Sequence, residues 1–353
     1  MEIRKSVLLK MDSCYAVNVM NRNGEKLCVA APDDHGAAKA VSIVSRREEI
    51  LWKEPSGTMG FVPLGSNGEF LAIQNFFPVF DSKHTVLVKG KYVEGTGWVI
   101  RPFLHIPYMH RADVLRKNGK NYLIICTLCS GKESVDDWSD PGKVLVGVLP
   151  KDVENTAENI CEEIELECIL EGQVKNHGYF KLKGKDGETV LVSSDSGMFE
   201  IRPPETLSEE WKITKLLEYP TGDVAACDID QDGCMEYLII TPFHGTAFSI
   251  YKRIENEMKQ IWKLDAGIKF GHVVWAGEIM GKPAFIGGCR EGDASLLLIQ
   301  YDKNHEEGYR ITVIDEGQGP ANICVLRENG KDIVFAANGA VGEVAVYELF
   351  RKE

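Results

Sequence analysis

The 353-residue chain contains no run of 18 consecutive apolar residues, so no transmembrane helix is expected. It carries no excess of positive charge. Its 40 Lys and Arg stand against 53 Asp and Glu, for a net charge of −13, a balance that disfavours nucleic acid and anionic membranes as partners. There are ten cysteines, but Cys126-x-x-Cys129 has no second C-x-x-C to complete a zinc or redox motif. Cys28, Cys126, Cys227 and Cys324 fall at strand positions and read as buried free thiols in a cytoplasmic protein. The opening segment MEIRKSVLLKMDSCY has only a short apolar patch and includes an acidic residue, so it is expected to be a strand and not a signal peptide. Helical periodicity is missing too. Apolar residues alternate with period two in stretches rich in Val, Ile and Tyr, which excludes a helical solenoid.

The chain does contain a repeat. A strand, a turn centred on glycine, a second strand and a polar loop recur seven times, with turns such as NRNGEKLCVA, RKNGKNYLIICT and DQDGCMEYLIIT. The turn glycines are Gly24, Gly68, Gly119, Gly187, Gly233, Gly281 and Gly330. Asn-Gly and Asp-Gly ahead of a β-rich run mark hairpins, because tight hairpin turns need positive φ. A period of about 40–50 residues with several strands per period is the pattern of a propeller blade. The expected fold is therefore all-β: one domain over residues 1–353, a seven-bladed β-propeller of four-stranded blades. The last unit has three strands only, and Glu2–Lys10 precedes the first unit without a partner. This segment is expected to supply the missing outer strand of blade 7 and close the ring. One long step, between Gly119 and Gly187, predicts an insert near 150–161.

Five of the eight histidines fall at equivalent places in the repeat. His110, His177 and His272 lie nine or ten residues before their turn glycines, at the start of a blade's first strand. His35 and His244 lie in loops after second strands, along with Asp33 and Arg290, and Asn338 is at the same place in blade 7. Asp223 and Asn322 take the strand-start place in blades 5 and 7, and Tyr15 takes it in blade 1. In antiparallel blades these two places share one face of the ring, where loops carry function. A single histidine there can simply satisfy backbone groups. Three converging imidazoles suit a divalent transition metal such as Zn²⁺ or Mn²⁺, so His110, His177 and His272 are the candidate metal ligands. His35 and His244 are candidate bases, Arg290 a candidate oxyanion or carboxylate anchor, and Tyr15 and Tyr108 candidate proton donors. Asp33, Asp223, Asn322 and Asn338 are candidate substrate-binding residues.

Asp228-x-Asp230-x-Asp232-Gly233-x-x-Glu236 is the sharpest local motif. Alternating carboxylates around a glycine bend make a candidate calcium loop, shorter than an EF-hand and on the opposite face from the histidines, so that a Ca²⁺ bound there would be structural.

The segment DIDQDGCMEYLIITPFHGTAFSIYK resembles the D-x-D-x-D-G blades of FG-GAP/VCBS-type propellers. Blade 6, GHVVWAGEIMGKPAFIGGCREGDASLLLIQYD, resembles the propeller part of aldos-2-ulose dehydratase-like proteins, which act on keto-sugars by elimination. The resemblance implies a carbohydrate-active lyase or dehydratase acting on a small keto-sugar or oxidised glycoside. Two other functions compete with it. One is a non-catalytic propeller binding a glycan or protein through Phe76, Phe77, Pro78 and Trp138. The other is a hydrolase using Asp33 and Asp223 as paired carboxylates.

Overall fold

The structure, a computed structural model, describes residues 1–78, 81–150, 164–328 and 330–351. Regular structure among these residues is entirely β, and no helix is long and apolar enough to cross a membrane. The strands form seven antiparallel sheets arranged as a seven-bladed propeller. Blade 1 runs from Cys14–Arg22 to Glu48–Trp52, blade 2 from Gly60–Leu64 to Gly97–His105, and blade 3 from Met109–Lys117 to Glu167–Gln173. Blade 4 runs from Gly178–Gly184 to Lys212–Leu217, blade 5 from Asp223–Cys227 to Glu257–Leu264, and blade 6 from Ile268–Ile279 to Tyr309–Asp315. Blade 7 consists of Pro320–Glu328, Lys331–Asn338 and Glu343–Phe350, completed by Glu2–Lys10. The first strand of each blade lines the central channel.

All seven turn glycines have positive φ, between 72° and 127°. Asn23 and Asn118 before them are also left-handed, giving the two-residue hairpin turn that the Asn-Gly pairs predict. Second strands such as Glu69–Gln74 and Lys331–Asn338 are buried almost throughout. Blade faces pack against each other, so these strands are covered on both sides and read as continuous apolar runs, as strands buried on both faces do. Fourth strands are less buried than second strands, as in Glu257–Leu264, which is mostly exposed. Gly287 shows how closely the blades approach: a Cβ there would lie 3.1 Å from the Phe248 ring of blade 5.

Ring closure follows the sequence expectation. Glu2–Lys10 pairs antiparallel with Glu343–Phe350, from Glu2 opposite Phe350 to Lys10 opposite Glu343. Lys5 and Lys10 also reach Glu343 across this seam, at 3.0 and 2.8 Å. Blade 3 differs from the plan by a further three-residue strand, Cys129–Gly131, that pairs with Asp140–Leu149. Beyond Pro150, the expected insert lies outside the described residues. Leu149 pairs with Asn121 beside the Gly119 turn, on the face opposite the strand-start histidines.

Leu9 is buried in the seam. Leu9→Ala is expected to cost about 2–5 kcal/mol, read as a lower urea midpoint at unchanged slope. Deleting residues 1–10 should leave Glu343–Phe350 as an open edge and promote aggregation. A truncated chain as stable and monomeric as the parent would show that blade 7 does not need this strand.

Candidate functional site

The first strands do not run straight at their channel ends. Pairing with the second strand slips between Cys14 and Ala16, between Met109 and Arg111, between Gly271 and Val273, and between Pro320 and Asn322. The residues at these β-bulges are Tyr15, His110, His272 and Ala321, at equivalent places in blades 1, 3, 6 and 7. A bulge adds one residue and re-aims its side chain, here toward the channel. His177 immediately precedes the first strand of blade 4. His244 sits in the loop after the second strand of blade 5, in the left-handed region with φ 49°.

Four imidazoles meet as a result. Ring centroids are 4.5 Å apart for His110 and His177, 5.1 Å for His177 and His244, and 5.3 Å for His177 and His272. His177, His244 and His272 each offer a nitrogen within 4.8 Å of the others'. The group able to hold a metal thus contains His244, expected from the sequence as a base, and not His110, which packs against His177 beside it. The His244 ring is held between Phe243 at 3.8 Å and Phe270 at 4.1 Å, nearly parallel to both. His272 Nδ1 lies 2.6 Å from the Ala321 carbonyl. A carbonyl only accepts, so Nδ1 carries the proton and the Nε2 lone pair is left for the site, 3.5 Å from the Tyr15 hydroxyl.

Burial controls the electrostatics. It pushes His110, His177 and His272 well below the ordinary histidine range, and the nearby Arg111 guanidinium acts in the same direction. His244 falls to about 3, mainly from burial and then from Arg290 and Arg111. All four are neutral at neutral pH, the form that ligates metals. Asp223 is raised to about 6 by burial, with Arg111 opposing. Asp33 is raised by burial, with Arg290 opposing. Burial also raises Tyr15 and keeps its hydroxyl protonated.

Two cavities meet at the histidine layer, sharing His110, His272 and Met59. The one at the loop face has a volume of about 370 Å³ and is lined by Tyr15, Asp33, Phe76, His177, His244 and Arg290, among others. The other, about 380 Å³, lies in the channel and is lined by Arg111, Asp113, Lys181, Asp223, Trp275 and Asn322, among others. Asp33 and Asp223 therefore line different cavities and do not face each other as a hydrolytic pair. Arg290 sits 5.5 Å over the Phe270 ring and 3.8 Å from Asp33.

Several expected residues lie elsewhere. His35 is exposed, with its ring against Phe77, and lines neither cavity. Tyr108 is buried in a backbone turn bonded to Ser82 and Leu128 and lines neither cavity. Asn338 donates to Tyr347 inside blade 7. Asn322 donates to the Tyr15 carbonyl at 3.0 Å and ties blade 7 to blade 1. Burial pushes Cys126 and Cys129 up to about 12, which makes both inert thiols. Arg111 directly follows a site histidine, yet the repeat pattern does not mark it. Phe270, one residue before Gly271, gave no signal at all.

The aspartate loop assembles the expected carboxylates and adds a cation of its own. Asp228, Asp230 and Glu236 bring oxygens together as a cation site would. The Lys252 ammonium already sits among them, 2.7 Å from Asp230, 2.8 Å from Asp232 and 2.5 Å from Glu236. Burial opposes its charge, yet the three carboxylates hold Lys252 above the ordinary lysine range. A tethered cation thus neutralises carboxylates of the same loop that could hold Ca²⁺. Lys252 is the cross-strand partner of Glu236, a signal the local motif does not contain.

No protein-family model matches the chain, and no curated protein does either. The propeller architecture stands on the structure alone.

Calcium is expected to leave the melting temperature of the protein unchanged. Lys252→Met should lose about 3–5 kcal/mol and regain stability with added Ca²⁺, measured by calorimetry with and without chelator. Calcium stabilisation of the unaltered protein would contradict the tethered-cation reading. The four depressed histidines also set an acid dependence. Below the ordinary histidine range, and for His244 down to about 3, the unfolded chain binds protons that the folded chain refuses, so stability should fall as pH falls, by up to about 1.4 kcal/mol per unit for each histidine. Asp223, raised to about 6, acts oppositely between about 4 and 6 and offsets one of them. Urea midpoints from pH 7 to 5 measure the net slope. A flat profile would show that the histidines are not desolvated.

Proposed function

We propose that the protein is a carbohydrate-active carbon–oxygen lyase that dehydrates a small keto-sugar or oxidised glycoside in the histidine-floored cavity. The observation that carries this reading is the convergence of His177, His244 and His272 within 4.8 Å, under a cavity of about 370 Å³, a size typical of small-molecule sites. The carbohydrate class comes from the resemblance of blade 5 to FG-GAP/VCBS propellers and of blade 6 to aldos-2-ulose dehydratase-like propellers, and is an analogy.

The three neutral imidazoles suit Zn²⁺ or Mn²⁺, which would supply a Lewis acid that polarises a carbonyl and acidifies the neighbouring C–H. The remaining steps belong to side chains of the same cavity. Arg290 anchors an oxyanion or carboxylate of the substrate. Phe76 and Phe270 present apolar ring surface to the sugar's C–H groups. His110, neutral and outside the trio, takes the proton α to the carbonyl. The C–H electron pair becomes the new C=C bond, the β C–O bond breaks, and the oxygen leaves with the Tyr15 proton.

The competing scaffold reading needs an exposed aromatic patch. Of the residues expected to form it, Phe77 is exposed, whereas Phe76 is buried and lines the cavity, and the Lys132 ammonium lies 3.3 Å over the Trp138 ring.

Elemental mass spectrometry on untagged protein is expected to find one equivalent of transition metal, lost in a folded His177→Ala/His272→Ala variant. On a keto-sugar panel, Tyr15→Phe and His110→Asn should retain metal and lose about 10²–10⁴ in kcat. Metal content unchanged in the double variant, or full turnover in all of these variants, would sink the reading.

A further inference from the structure

His177 Nδ1 is a buried polar atom with no hydrogen-bond partner among the described residues. Such atoms are rare in folded proteins, and each calls for an explanation. The acceptor placed beside it is Asp223, whose Oδ2 lies 3.7 Å away. That carboxylate is firmly held. Its Oδ1 accepts from the backbone N–H of Val224 at 2.9 Å and of Tyr179 at 3.3 Å. Arg111 closes a circuit: its Nε donates to the His177 carbonyl at 3.1 Å, and its Nη2 lies 3.6 Å from Asp223 Oδ2. Asp223 opens on the channel cavity and not on the cavity with Arg290, so it is poorly placed for the substrate contact expected from the sequence.

We propose that Asp223 is a positioning residue that fixes His177 in the Nδ1–H tautomer, leaving the Nε2 lone pair for the trio with His244 and His272. The proposal rests on the reading of that trio as a metal site. A neutral imidazole has one N–H, and an acceptor beside Nδ1 decides where it goes. His272 shows the same device, with the Ala321 carbonyl in the acceptor's place. Two of the three histidines are then oriented from behind, one by a backbone oxygen and one by a carboxylate that also raises the basicity of its ring. Outer partners of this kind are worth about 10–100-fold in metal affinity.

The test combines ¹⁵N NMR of histidine-labelled, metal-free protein with Co²⁺ titration followed by ligand-field absorbance. The unaltered protein should show His177 as the Nδ1–H tautomer. Asp223→Ala should mix the tautomers and weaken Co²⁺ by about 10–100-fold, and Asp223→Asn, whose amide oxygen still accepts, should recover part of both. A His177 found as the Nε2–H tautomer in the unaltered protein overturns the proposal without need of any variant. So does a folded Asp223→Ala protein with unchanged tautomer and unchanged Co²⁺ affinity. If the unaltered protein binds no Co²⁺, the metal reading falls, and the tautomer comparison still decides the role of Asp223.

Discussion

Antiparallel pairing of Glu2–Lys10 with Glu343–Phe350 is the constraint on which the rest of the molecule depends. An open ring would leave blade 7 with a bare edge and the first strands of blades 7 and 1 free to separate. With the ring closed, the first strands converge on a channel whose width is set by blade-to-blade packing, as at Gly287 and Phe248. Everything at the histidine layer inherits its distances from that closure. The scaffold supplies rigidity, and four bulges in the first strands convert it into a set of inward-pointing groups.

Desolvation is then used in two opposite ways. At the loop face it holds four imidazoles neutral, as ligand or base chemistry requires. On the opposite face, buried and half-buried carboxylates surround a lysine, and attraction to them outweighs the cost of burying its charge. The same fold therefore concentrates uncharged donors at one end of the first strands and neutralised charge at the other. The first arrangement leaves lone pairs beside a cavity.

Much of the architecture was legible because it depends on backbone chemistry that sequence records directly. The seven glycine turns demand positive φ, and a three-stranded last unit with an unpaired first segment has one economical closure. Errors of detail arose where loops override pattern. The third strand of blade 5 begins only at Phe248, because Gly245 is held in a turn by the Pro242 carbonyl. The site was legible in part. Counting from turn glycines finds His110, His177 and His272, since register is periodic. It does not find that His244 joins His177 and His272, because the left-handed turn at His244 and its clamp between Phe243 and Phe270 are not periodic features. Asn338 was misplaced for a related reason: equivalent backbone position does not fix side-chain direction, and this one turns into its own blade toward Tyr347. Lys252 was missed because its meaning lies in cross-strand register with Glu236, not in the motif around the aspartates.

The trio comes from blades 4, 5 and 6, one continuous stretch of chain, whereas the groups packed around His272 include some from blades 7 and 1. The Ala321 carbonyl orients His272, Tyr15 faces the same imidazole, and Asn322 joins the two blades through the Tyr15 carbonyl. The wall of the site beside His272 is thus the seam of the ring itself. A chain with blades 4 to 6 formed but the ring unsealed would keep Asp223 beside His177 and lose the backbone partner of His272 and the Tyr15 hydroxyl next to it. Sealing the ring and completing that wall are one event, since Tyr15 and Ala321 both reach His272 only when blades 7 and 1 meet.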